Sequence, residues 1–160
     1  MTISDIPFHT MEGETQTLAD YDGKAVLIVN VASRCGLAPQ YETLERLQRE
    51  YGDRGLQVLG FPSNQFLQEL GSNEAIKEYC SLTYGISFPV LDRVRVNGRK
   101  EHPLYTELKK APDAEGKAGR VTWNFEKFMV TPDGKVLRFR SHTEPDDPRV
   151  MEALEANLPA

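Results

Sequence analysis

The stretch LIVNVASRCGLAPQY, residues 27–41, decides how the chain is read. Its first half is an apolar run rich in β-branched residues, which predicts a buried strand over residues 24–31. Ser33, Arg34, Cys35 and Gly36 then interrupt the run. From Pro39 onward Tyr41, Leu44, Leu47 and Tyr51 recur at helical spacing until Gly52 and Gly55 end the pattern. A strand that passes through a polar turn into a helix leaves Cys35 near the helix's amino end. The unpaired N–H groups and partial positive charge there favour a thiolate. Arg34 adds a positive charge, and Gly36 would let the backbone turn tightly and a substrate approach. A buried cysteine acting as a small hydrophobe is the competing reading, and these residues alone leave both open.

Outward from this segment, residues 56–61 (LQVLGF) predict a second strand, stopped by Pro62. Ser72 or Asn73 can cap a helix over residues 74–84, which carries Ile76, Tyr79 and Cys80 on its apolar face. Residues 87–100 read as an extended piece followed by an Asn-Gly turn of the hairpin kind. HPLYTELKKA, residues 102–111, fits a short helix with proline in its first turn. Residues 111–119, small and charged, read as the most mobile loop. Residues 126–130 and 135–140 are strands joined by TPDG, and residues 148–158 are a last helix capped by Asp146 or Asp147. A small hairpin is expected from residues 6–11 and 15–18 around EGE. The order predicts a mixed sheet, parallel first and antiparallel last, with helices on both faces. That is a thioredoxin-like α/β three-layer sandwich.

The 160 residues favour one domain spanning 1–160, and 39% hydrophobic with 27% charged residues is an ordinary soluble mixture. A net charge of −5 argues against nucleic acid or an anionic membrane as the main partner. No apolar run approaches the roughly 20 residues of a membrane span, and no secretory signal pattern is visible. Two cysteines, Cys35 and Cys80, are too few for a disulfide framework, so a reducing cytoplasm is the expected setting. His9, His102 and His142 are scattered, which argues against a metal site.

Three separated segments carry a resemblance. NVASRCGLAPQY (residues 30–41) resembles the active-site segment of the glutathione peroxidase family. LGFPSNQF (59–66) is similar to its second signature, and WNFEKFMV (123–130), continued by GKVLRF (134–139), to its third. The resemblance implies a thioredoxin-like fold and reduction of hydrogen peroxide and organic or lipid hydroperoxides, with no cofactor. It makes Cys35 the peroxidatic residue, with Gln68, Trp123 and Asn124 as its partners. The residue types suit that role: indole and amide N–H groups are neutral donors that hold a thiolate without protonating it.

The chain departs from the family after NQF. LQELG (67–71) is one residue shorter than the usual segment, with Leu70 where proline is expected. Gln68 aligns by its neighbour Glu69, and Gln65 is the fallback. Ser63 stands where many relatives have cysteine, and Ala38 where threonine is common.

Residues 76–90, IKEYCSLTYGISFPV, resemble the segment that carries the resolving cysteine in the thioredoxin-dependent branch. The resemblance implies that a sulfenic acid on Cys35 condenses with Cys80 to a disulfide, which thioredoxin then reduces. Glutathione is the alternative reductant and needs no Cys80. A disulfide requires Cα atoms within roughly 7 Å, so residues 74–84 are expected to unwind partly during turnover. The short stretch between HPLY and WNF lacks the insertion of tetrameric members and resembles the monomeric ones. A peroxide sensor or relay, passing oxidation to a partner protein, is the rival in a different class. A copper-handling module would want its cysteines closer together and a histidine beside them.

Overall fold

The computed structural model describes residues 2–66 and 69–159. A short ribbon, β1 (Phe8–His9) and β2 (Thr15–Gln16), precedes β3 (Ala25–Val31), α1 (Gln40–Tyr51), β4 (Leu56–Pro62) and α2 (Asn73–Tyr79). One turn of π-helix, Cys80–Tyr84, continues α2; then follow α3 (Pro103–Leu108), β5 (Lys127–Val130), β6 (Val136–Phe139) and α4 (Pro148–Asn157).

β3 is buried at every position, as a strand covered on both faces must be. Its side chains alternate between two cores. Ala25, Leu27, Val29 and Val31 join Tyr41, Leu44 and Leu47 of α1, Ile76 of α2 and Val150 and Leu154 of α4. Val26 and Ile28 face Leu104, Tyr105 and Leu108 of α3 and the N-terminal Ile6, Phe8 and Leu18. The sheet order is β4-β3-β5-β6. β3 and β4 run parallel, with Val31 beside Pro62, whereas β5 is antiparallel to both β3 and β6. This is the expected thioredoxin-like sandwich, a mixed open sheet with helices on both faces. None of the described helices is long and apolar enough to cross a membrane.

The helix ends follow their capping chemistry. The Ser72 side chain accepts from the Ala75 N–H, His102 from Leu104 with Pro103 next in the chain, and Asp147 from Arg149. Three local expectations are corrected. The helix expected over residues 74–84 is α-helical only as far as Tyr79; it then widens into the π turn, which Gly85 ends in a left-handed conformation (φ 59°). Asn97–Gly98 makes no hairpin. Instead the Asn97 side chain clasps the Val121 backbone, accepting from its N–H (2.9 Å) and donating to its carbonyl (2.6 Å). The stretch 111–119 is fastened: buried Arg138 donates to the carbonyls of Ala111 and Gly119, and Arg140 pairs with Asp113. Buried Glu126 takes both arginines.

Candidate active site

Because β3 and β4 are parallel neighbours, the turns that leave their carboxyl ends lie side by side. The first carries Cys35. Residues 33–39 form successive turns, with Ala38 N–H bonded to the Cys35 carbonyl, before α1 begins at Gln40. The cysteine therefore sits in the lead-in to the helix rather than on its cap. It is only 5% exposed and is a free thiol. Two N–H groups point at its sulfur: the backbone of Leu37 at 3.3 Å and the indole Nε1 of Trp123 at 3.2 Å. Both donors suit a thiolate.

Trp123 comes from the turn before β5, and that turn is held by Asn30, fully buried at the next-to-last position of β3. The Asn30 amide donates to the Trp123 carbonyl (3.1 Å) and accepts from the Glu126 N–H (3.0 Å). The Asn30 backbone carbonyl accepts from Phe125 N–H (2.6 Å). Phe125 is the one described non-glycine residue with positive φ, 62°, a left-handed conformation that costs energy for a bulky residue and needs such ties. Phe66, from the turn after β4, packs its ring 5.3 Å from that of Trp123. Asn124 is fully buried, and neither its amide oxygen nor its nitrogen has a partner among the described residues.

Lys127 joins the same scaffold. It is fully buried, and its ammonium donates to the Gln40 side chain (2.8 Å) and the Ser141 carbonyl (3.0 Å). This fixes the first residue of α1. Burial, only partly offset by Glu144 and Glu126, pulls Lys127 down to about 7.

The other expected residues divide. Gln68 lies outside the described residues. Its fallback Gln65 is committed elsewhere and is corrected: its carbonyl oxygen accepts from the Val96 and Asn97 N–H groups, and its amide donates to the Asn97 carbonyl (2.9 Å). Arg34 is exposed and bonds to neither Cys35 nor any described carboxylate. Gly36 is exposed and not left-handed, and a Cβ added there would meet nothing within 4 Å, so the turn does not require glycine. Ser63 is buried and bonds to Gln65 N–H at 3.4 Å.

Cys80 opens the π turn. It is free, 3% exposed, and shares the core that holds Cys35. Burial, with the Glu69 carboxylate adding to it, pushes its thiol up to about 11. Glu69 is itself buried; one oxygen accepts from Ser33 N–H (2.9 Å) and Leu70 N–H (2.8 Å), and the other has no partner among the described residues. Burial raises its carboxyl above the ordinary range. Among the described residues, no three His, Cys, Asp or Glu side chains gather as a metal site.

Sequence reasoning missed Asn30, Glu69 and Lys127 as members of this scaffold. For Asn30 and Lys127 the signal available was a polar residue inside a strand pattern that demands apolar ones, whereas Glu69, on a polar loop, carried no such signal.

Residues 3–109 match the family model described as Glutathione peroxidase. A glutathione peroxidase of Lactococcus lactis subsp. cremoris is 47% identical over 150 residues, covering 92% of this chain and 94% of that protein. Thioredoxin/glutathione peroxidase BtuE of Escherichia coli is 47% identical over 169 residues, covering 92% of each. Among solved structures, T. cruzi GPX1 superposes with a TM-score of 0.78 at 29% identity, covering 98% of this chain and 96% of that one.

Proposed function

The chain belongs to the glutathione peroxidase family, and from that premise we propose that it reduces hydroperoxides through a two-cysteine cycle recharged by thioredoxin. The observation that carries this reading is the pair of N–H donors, from Trp123 and Leu37, aimed at the Cys35 sulfur.

The Cys35 thiolate attacks one oxygen of the hydroperoxide; the O–O bond breaks, the leaving alkoxide takes a proton, and Cys35 becomes a sulfenic acid. The product is an alcohol, or water from hydrogen peroxide. Trp123 holds the thiolate beforehand. Asn124, buried with its amide oxygen and nitrogen both without a partner among the described residues, is assigned to the departing oxygen, and Gln68 to the same task from the segment after β4. The Cys80 thiol then attacks the sulfenic sulfur, water leaves, and a Cys35–Cys80 disulfide forms. A thioredoxin dithiol reduces it by exchange, and the relative whose name includes thioredoxin supports that reductant. Cys80 starts the cycle buried in a π turn, a feature frequent at functional sites, so residues 73–84 unwind to bring it to Cys35. Free cysteines cycling with thioredoxin suit a reducing cytoplasm, and we assign the chain there as a monomer.

The test is hydroperoxide-dependent NADPH consumption coupled through thioredoxin and thioredoxin reductase, beside a glutathione-coupled assay. Activity with thioredoxin should vanish in both Cys35→Ser and Cys80→Ser. Glutathione-coupled activity that survives Cys80→Ser would move the protein to the one-cysteine route. Absence of turnover with either reductant would favour the sensor.

A further inference from the structure

Beside the peroxide site lies an open cleft of about 640 Å³ lined by Asn64, Gln65, Arg93, Val94 and Arg95. The segment that carries the arginines is extended and locked against the end of β4. Val94 N–H bonds to the Pro62 carbonyl (2.9 Å), and the Arg95 carbonyl accepts from His102 N–H (2.7 Å). Gln65 staples the turn after β4 to the Val96–Asn97 backbone. Alternation along an extended chain turns Val94 and Val96 toward the core and sends Arg93 and Arg95 to the same, solvent side. Both guanidinium groups are exposed, and neither is in an ion pair with any described residue.

Neither nearby acidic group, Asp92 or Glu69, forms an ion pair with either arginine. Asp92 accepts from the Asn73 side chain (2.9 Å) and from the Arg93 N–H (3.0 Å). Glu69, whose carboxylate Arg93 favours, is buried with one oxygen held by backbone N–H groups. In a chain of net charge −5, two arginines on one rigid segment, without an ion-pair partner among the described residues, make a local positive patch. The cleft also adjoins the chemistry. Phe66 follows Gln65 directly and packs on Trp123, whose indole contacts the Cys35 sulfur.

We propose that Arg93 and Arg95 bind the carboxylate of an acidic organic hydroperoxide, such as a fatty-acid hydroperoxide, while its apolar body crosses Phe66 and Trp123 to present the peroxide to Cys35. Two guanidinium groups match a carboxylate in geometry as well as charge. The inference rests on the peroxidase reading and adds to it a site for the substrate's carboxylate.

The test compares linoleic acid hydroperoxide with its methyl ester, below micelle-forming concentrations, in the wild type and in Arg93→Gln/Arg95→Gln. The acid-to-ester ratio of kcat/KM is internally normalised in each protein, and hydrogen peroxide turnover reports the peroxidase reading separately. The ratio should be about three to ten in the wild type, the range expected of two exposed charge contacts, with the difference residing in KM. It should fall to about one in the variant and shrink with added salt. A ratio of one in the wild type, or one that survives in the variant, overturns the proposal. So does a variant that loses only glutathione-coupled turnover, since the cleft would then serve the tripeptide's carboxylates. No turnover of hydrogen peroxide, the acid or its ester by the wild type would instead overturn the peroxidase reading itself.

Discussion

The indole N–H of Trp123 reaches the Cys35 sulfur at 3.2 Å across 88 positions of sequence. Trp123 is also the single tryptophan of the chain, so all tryptophan emission arises beside that sulfur. Oxidation of Cys35 changes the indole's hydrogen-bond acceptor and should change its fluorescence twice, as the sulfenic acid forms and again as the disulfide forms. Stopped-flow mixing with hydrogen peroxide should give a first phase whose rate is proportional to peroxide concentration, and Cys35→Ser should give no change. Trp123→Phe keeps the ring on Phe66 but removes the donor. Peroxide reduction should then fall about a hundredfold, as loss of one preorganised donor does elsewhere. A variant within a factor of two of wild type would leave the indole a packing group.

Asn30 acts one step further back. Its side chain makes two of the three bonds that hold the Trp123–Glu126 turn. Asn30→Ala leaves a buried N–H and a buried carbonyl without partners and should destabilise the fold by about 2–4 kcal/mol, read from urea midpoints. The peroxide rate of the remaining folded protein should fall as well, and Trp123 emission should shift toward that of an exposed indole. Destabilisation without change in rate or emission would show that the turn supports itself.

What the sequence made legible, and what it did not, divides by reach along the chain. Strand positions and helix caps depend on neighbours a few positions apart, and the strand at residues 24–31 and the cap at Asp147 formed within a residue or two of expectation. The roles of Asn30 and Lys127 depend on partners 87 to 96 positions away, which no local periodicity encodes. Trp123 was reached only because the family resemblance names it. Gln65 shows the limit of that route: motif alignment offered it as a stand-in for Gln68, whereas its amide is consumed by the Val96–Asn97 backbone. The π turn at Cys80–Tyr84 escaped because its widened ring uses the same helix-forming residues as an α-helix.

The Cys80 thiol gives a pH test of the unwinding step. Folded, it is pushed up to about 11, so less than about one part in a thousand would be thiolate near neutrality. Unwound into water, it should titrate near an ordinary thiol, about 8.5. If residues 73–84 open before attack, disulfide formation should rise with pH and level off near 8.5 to 9. Attack from the folded turn would keep the rate climbing toward 11. Hydrogen exchange gives the companion measurement: amides of α2 and the π turn should lose protection in the oxidised protein, and equal protection in both states would oppose unwinding.

Lys127 couples this scaffold to pH through stability. Its folded value, about 7, lies below the ordinary 10.5 because burial penalises the ammonium. Below pH 7 the lysine is protonated in both states, and the full cost of burying the charge weighs on the fold. Between about 7 and 10.5 the unfolded chain binds a proton that the folded chain does not, so stability rises with pH through this window. The slope approaches about 1.4 kcal/mol per pH unit at its steepest. Cys80 acts in the opposite sense above roughly pH 9, where the unfolded thiol ionises and the folded one does not. The measurement therefore belongs in a Cys80→Ser background between pH 6 and 9. Urea unfolding should show stability gaining about 2–3 kcal/mol over that range. Lys127→Met in the same background should flatten the gain, at the cost of the bonds to Gln40 and Ser141. An equal slope in both proteins would mean that the ammonium keeps its proton in the folded core and that its charge is offset by the carbonyl oxygens around it.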